Sequence, residues 1–323
     1  MEKKYMLTDE TRTIKGKILH RIKALKDFDH VKAGDLGGFI EKEENLSQEG
    51  IAWIFNNAQV YGTAQVYDDA KIYDNVQIYD NAHVYGDARI FGNVKIFENA
   101  QIYGEAGIFE DTEVFGNAQI FGYAWIGDNA QIFDNAQVCE GAMIHDYAHI
   151  YENAMIYGRA KVYGKAIISG KSKVYEDAHV YGSVKVRDCA EILQYQHVSY
   201  GIVKTDLSKP ENLASSIKAQ CNLLAINNKV IAYKLVRPDL TSFYDENFQY
   251  VIGEEIEVKD CDETNVPCAN GLHFSNPTYW ENAIENKEYV YLEAEIDFKD
   301  IITVQQGKIR CRKAKILRAF KLD

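Results

Sequence analysis

Between Ile51 and Gln194 apolar and polar positions follow a six-residue phrase that repeats 24 times without insertion or deletion. The fourth place is Val or Ile in all 24, from Ile54 and Val60 to Ile192. The second is Ala in 19, with Val76, Val94, Thr112, Ser172 and Val184 in the rest, and the fifth is Phe or Tyr in 18. Places two and four lie two residues apart, so on an extended segment they share one face, while places three and five share the other. Place six is always Gly, Asp, Glu, Asn or Gln, and place one is often Asn or Asp. Such residues tolerate the left-handed backbone of a tight corner. Strand and corner at a short fixed period predict stacked units, none able to bury its apolar side alone. A charge at Ile102, on the inward face, is expected to be severe.

An aliphatic residue followed four positions later by a small one, as in Val60 to Ala64 and Val66 to Ala70, resembles the hexapeptide-repeat, left-handed parallel β-helix family. The resemblance implies three hexads per triangular coil, hence eight coils, in a mainly β protein. It also implies that residues 18 apart stack. The fifth place then forms one unbroken ladder of Tyr61, Tyr79, Phe97, Phe115, Phe133 and Tyr151. A second, Phe55, Tyr73, Phe91 and Phe109, loses its ring at Gly127 and His145 before Tyr163 and Tyr181. The third, Tyr67, Tyr85, Tyr103 and Phe121, breaks at Cys139 before Tyr157 and Tyr175. Three uses of stacked outward rings are open: reinforcement of the coil, burial in a homo-oligomer, trimer or dimer, and a platform for a carbohydrate or base.

A solenoid exposes strand edges at its ends and needs caps. Residues 1–50 are read as the first. Asp35-Leu36-Gly37-Gly38 followed by Asn45-Leu46-Ser47 resembles the leading segment of bacterial hexapeptide-repeat proteins of the putative-acyltransferase type. Residues 195–323 are read as an α+β C-terminal domain, with a helical linker at 195–228 and a core at 229–323. In it, LSKPENLASSIKAQCNLL has helical spacing, and VIAYKLV, YVIGEEIEV, GLHFS, YVYLEAEID and ITVQQGKIRCRKAKIL read as strands, with a short helix at NPTYWENAI. This region resembles uncharacterised modules that follow β-helix or pentapeptide-type repeats in proteins of phages and mobile elements.

Candidate chemistry is sparse. Acyltransferases of the hexapeptide-repeat family use a histidine as general base in a cleft between subunits, beside a loop thrown out from a coil. No loop interrupts these hexads; His83, His149 and His179 fall on three faces, and His145 takes an aromatic place. Glu110, Asp128 and Asp146 stack on one corner, where a cation or a solvated row of carboxylates is expected. In the C-terminal domain Tyr233, Lys234 and Arg237 share a strand, and His273 lies in Gly271-Leu272-His273-Phe274-Ser275. A basic first strand and a G-L-H-F strand resemble ADP-ribosyltransferase-like folds, which implies a nucleotide held by these residues. The final strand, K-A-K-I-L, does not carry the closing glutamate motif of those folds. His273 also reads as a hydrogen-bonded core histidine.

The charge and composition narrow the partners. A net charge of −12 argues against a grip on nucleic acid or an anionic membrane by the body of the protein. The basic tail, with Lys308, Arg310, Arg312, Lys313, Lys315, Arg318 and Lys321, is the exception. It reads as a phosphate or nucleic-acid contact, as a partner for the solenoid's own carboxylates, or as a solvated strand edge blunted by charge. Six cysteines without a C-x-x-C pair, and a start lacking an apolar signal, read as a cytoplasmic protein with reduced thiols. No motif asks for a cofactor or metal. The resulting expectation is a non-enzymatic scaffold of bacterial or phage origin, with a C-terminal domain for a protein or small-ligand partner. An acyltransferase-like enzyme and a nucleotide-binding C-terminal domain are the alternatives.

Overall fold

The computed structural model describes residues 3–192, 197–199, 201–204, 210–261, 270–281, 288–305 and 307–321; Gln194, Cys268 and the end of the helix expected at NPTYWENAI lie outside them. The protein is a parallel β-solenoid with a C-terminal domain of antiparallel sheets, and the chain separates into two compact units, Met1–Ser183 and Val184–Asp323. No helix among the described residues is long and apolar enough to cross a membrane.

In the first unit each hexad contributes a two-residue strand at places three and four, paired in parallel with the strands 18 residues before and after. Gln77–Ile78, for example, lies between Gln59–Val60 and Lys95–Ile96. Three hexads therefore make one turn. Every side chain at places two and four from Ala52 to Val180 is fully buried, including Thr112 and Ser172. Those two hydroxyls donate to carbonyls three residues back, Phe109 at 2.8 Å and Ser169 at 2.6 Å, so neither is left without a partner.

The corners explain the place-six alphabet. Every residue there from Asn56 to Gly182 has φ between 53° and 93°, a region that costs glycine nothing and favours short polar side chains elsewhere. At most acidic corners the carboxylate takes the corner N–H of the next turn. Gly86 N–H donates to Asp68 (3.3 Å), Gly92 N–H to Asp74 (3.1 Å) and Gly158 N–H to Glu140 (2.9 Å). Much of the acidity of this unit is thus structural.

The N-terminal end of a parallel solenoid leaves carbonyls without donors, because each turn's N–H groups bond to the turn that follows. A hairpin of β1 (Tyr5–Ile14) and β2 (Lys17–Ala24) and the strand β3 (Leu36–Ile40) close this end, β3 pairing antiparallel with β2 and parallel with Gln59–Val60. Phe39 N–H donates to Ala58 O, Glu41 N–H to Val60 O and Ser47 N–H to Val66 O. Side chains supply the rest: Asn45 Nδ2 donates to Ala64 O (2.8 Å), and the buried Lys4 Nζ to Ala52 O (2.9 Å) and Glu49 O (3.2 Å). A Cβ at Gly37 would stand 2.6 Å from Ile54 O, and one at Gly38 2.4 Å from Ala58 O. The Gly-Gly pair is therefore fixed by the close approach of cap and first turn.

In the second unit α1 (Pro210–Cys221) packs on the strand Ile202–Val203, whose Ile202 N–H donates to Ser215 Oγ at 2.7 Å. Beyond it lie β4 (Lys229–Val236), β5 (Glu255–Glu257), β6 (Leu272–Phe274), α2 (Pro277–Glu281), β7 (Val290–Asp297), β8 (Ile301–Gln305), β9 (Lys308–Cys311) and β10 (Lys313–Phe320). An antiparallel sheet runs Ala225–Ile226, β4, β7, β10, β5, and a smaller one runs β6, β9, β8. Reciprocal backbone bonds between Tyr233 and Ser275 join β4 to the end of β6. The strand expected over ITVQQGKIRCRKAKIL is three strands rather than one, divided by Gly307 at φ 73° and by Arg312, where the chain passes from the small sheet to the large one. The strand expected at Tyr250–Val258 is confined to β5, because Gly253, at φ 88°, turns the chain just before it.

Candidate functional site

On β4 the residues Val230, Ala232 and Val236 enter the core of the C-terminal domain with Leu292, Ala294 and Ile296 of β7. Period-two alternation puts Lys234 on the same inward face, and it is 5% exposed. An ammonium therefore occupies a position that strand patterning reserves for an apolar side chain. Its Nζ donates to His273 O at 3.3 Å and lies 5.8 Å from the ring of Tyr244 and 5.5 Å from that of Trp280. Burial pushes the Lys234 pKa down to about 8, and Lys308 adds repulsion. The same burial, with Lys234, Lys308 and Arg310 near, holds His273 neutral, at about 4.

Lys234 opens onto a cavity of about 360 Å³, within the range of small-molecule sites. His273, Lys308, Tyr279 and Trp280 line it, together with Tyr244, Phe248 and Tyr250 from the loop after β4 and its continuation. Among the candidates on β4, Lys234 thus shares a cavity with His273, while Tyr233 and Arg237 lie outside its lining. The Tyr233 ring packs edge-on to Phe320, and burial and the neighbouring Glu293 push its hydroxyl pKa up. Arg237 braces the loop that walls the cavity. It donates to Ser242 O at 2.6 Å and to Glu246 Oε1 at 2.9 Å, with its guanidinium 5.4 Å from the Phe243 ring. The loop aromatics were not legible beforehand, since no periodicity marks them; the run S-F-Y-D-E-N-F-Q-Y, dense in rings, is the signal that could have found them.

The solenoid candidates are brought together in part. His145 Nδ1 lies 3.5 Å from Asp146 Oδ2 and 3.9 Å from Asp128 Oδ2, and these three side chains could converge on one ion. Both carboxylates already serve the corner ladder, Asp128 accepting Asp146 N–H and Asp146 accepting Gly164 N–H, each at 2.9 Å. Glu110 stands against the Asp128 carboxyl, which raises its pKa. The arrangement is that of a capped corner in which one aromatic place holds His145, stacked 4.9 Å from Tyr163.

In the expected interaction ladder, ring centroids from Tyr61 to Tyr151 are spaced 4.9–5.1 Å and are nearly parallel. Tyr61 is buried under Leu19 and Phe39 of the cap, and Lys15 lies over Tyr79, so Phe97, Phe115, Phe133 and Tyr151 form the half-buried remainder. In the tail, Lys313 pairs with Glu255 (2.6 Å) and Arg318 with Glu293 (2.8 Å), both inside the domain's own sheet.

Fold and site define a parallel β-solenoid protein with a pocketed antiparallel C-terminal domain. A family profile described as Domain of unknown function (DUF7666) matches residues 230–323. Gabija anti-defense 2 of Bacillus phage SPbetaL7 is 31% identical over 125 residues, covering 34% of this chain and 30% of that protein. Uncharacterized acetyltransferase YdcK of Escherichia coli (strain K12) is 41% identical over 69 residues, covering 19% of this chain and 21% of that protein. The chain thus spans less than a third of the length of either relative.

Proposed function

We propose that this is a non-enzymatic interaction protein of the phage–bacterium interface. The solenoid is a rigid scaffold that self-associates through its aromatic ladder, and the C-terminal domain recognises a component of bacterial antiviral defence. The observation that carries the reading is the row Phe97, Phe115, Phe133, Tyr151, with centroids 4.9 Å apart at each step. Half-buried rings held in register by a backbone ladder form an apolar surface that needs no ordering on contact. The likeness to the phage anti-defence protein supplies the biological setting. The test is phage plating on bacteria carrying the Gabija system, with the chain or its Phe115→Lys, Phe133→Lys double variant expressed. The chain should restore plating and the variant should not, and light scattering should show the variant alone as a monomer. Failure to restore plating removes the defence target, and a monomeric parent removes the self-association.

Acyl transfer is the second reading, favoured by the likeness to YdcK and by the proximity of His145 to Asp146. It requires acetyl-CoA turnover that His145→Ala abolishes.

A further inference from the structure

We propose that the cavity beside Lys234 binds a small molecule carrying one carboxylate and an aromatic ring, the carboxylate paired with the Lys234 ammonium and the ring held against Tyr244, Phe248 and Trp280. This goes beyond the scaffold reading and does not rest on it.

Lys234 is the starting point. Transferring an ammonium from water to a protein interior is costly unless a partner compensates. Lys234 is 5% exposed, and among the described residues no carboxylate pairs with it. Its one hydrogen bond there, to His273 O at 3.3 Å, uses one of three donors. A carboxylate brings two acceptor oxygens and a single negative charge, which matches one ammonium with two donors to spare. The acidic side chain of the lining, Asp245, does not fill this role, because it is turned to its own loop and accepts Asn247 N–H at 3.0 Å. His273 is held neutral, and Lys308 stands over the Tyr279 ring at 5.9 Å, so the pairing is assigned to Lys234 alone.

The walls select the rest of the molecule. Lys234 Nζ lies 5.8 Å from the Tyr244 ring and 5.5 Å from that of Trp280, so a carboxylate bound there carries its own body in among rings. Phe248 and Tyr250 meet edge to face at 5.0 Å in the same lining, and Leu272 adds aliphatic surface. Tyr244, on the loop braced by Arg237, is 78% exposed at the mouth, where a flat apolar group would cover it. A cavity of about 360 Å³ is at the small end of ligand sites and suits one or two fused rings on a short acidic arm.

Calorimetric titration of the full chain at pH 7 tests this, with phenylacetate and indole-3-acetate as probes and their primary amides as controls. The amides keep ring and shape and remove the charge. The parent should bind at least one acid roughly tenfold or more tightly than its amide. Lys234→Met should bind acid and amide alike, at about the affinity of the parent for the amide. A lysine with a structural role only would leave the preference for the acid unchanged. Tyr244→Ala, at an exposed position, should weaken acid and amide together by roughly three- to tenfold and keep the preference. The proposal is overturned if neither acid binds at millimolar concentration, if the parent binds the amides as tightly as the acids, if Lys234→Met retains the preference, or if Tyr244→Ala binds both like the parent.

Discussion

Among the described residues each unit of this protein buries one lysine, and the two lysines solve opposite problems. Lys4, 1% exposed, donates to Ala52 O and Glu49 O and so satisfies carbonyls at the open end of the solenoid. Lys234, 5% exposed, has a single bond among the described residues, at 3.3 Å, and otherwise meets aromatic rings and a cavity. Burial lowers both to a pKa of about 8. In the solenoid, then, a buried charge completes the backbone accounting that stacking began; in the C-terminal domain it opposes the packing around it. Buried charge that helps the fold is explained by the fold, and buried charge that harms it asks for another explanation.

The sharpest way to break this contrast is to disturb the core of the solenoid. Ile102→Asp puts an unpaired carboxylate among side chains with no access to water and should cost more than about 4 kcal/mol, unfolding the first unit. Trp53 and Trp125 report that unit by fluorescence, and Trp280 reports the other. A folded Ile102→Asp protein would mean that the core tolerates water and that the rigidity argument fails. Next comes the lysine pair. Lys4→Met leaves buried carbonyls without a donor and should destabilise the protein by about 1–3 kcal/mol in urea denaturation, whereas Lys234→Met should stabilise it. If both substitutions act in the same direction, the comparison collapses.

Proton linkage separates the two groups of the pocket. His273 has a folded pKa of about 4 against 6.5 unfolded, so the unfolded chain takes up its proton first as pH falls. The stability it contributes is complete above pH 6.5 and lost progressively down to about 4, on the order of 2 kcal/mol after discounting its partial exposure. Lys234, about 8 folded against 10.5, works in the alkaline window: the folded form sheds its proton first, so stability rises between pH 8 and about 10. Melting curves of His273→Gln and Lys234→Met should each lose the corresponding slope.

What could be read beforehand follows the same divide. Parallel stacking repeats one local solution, so the inward face of Val60, Ile78 and Ile96 and the left-handed corners are written in the period itself. The caps are not periodic. Gly37, Gly38 and Asn45 stand out in the sequence, yet their work lies in contacts with carbonyls of Ile54, Ala58 and Ala64 that only the folded first turn brings near. In the C-terminal domain Lys234 and His273 were legible as polar residues on apolar strands. Their meeting depends on the Tyr233–Ser275 bridge, which joins segments about forty residues apart and leaves no local pattern. Arg237 misleads for a related reason: its charge suggests a ligand, while its partners Ser242 and Glu246 lie in its own loop.

The smallest expected effect tests whether the aromatic ladder serves the coil or a partner. Phe115 stacks between Phe97 and Phe133 at 4.9 Å on each side. Cross-strand ring pairs contribute roughly 0.2–1 kcal/mol each, and Leu at this place keeps apolar area while removing both ring contacts. Phe115→Leu should therefore cost about 1 kcal/mol if reinforcement of the coil is the ladder's use. Should the loss be negligible in dilute solution but appear as concentration rises, the rings are spent on a second molecule, because stability gained by association grows with protomer concentration. Measuring the urea midpoint at two concentrations a hundredfold apart distinguishes these cases within a single variant. The same measurement at Tyr61, which Leu19 and Phe39 already cover, should show no concentration dependence in either case.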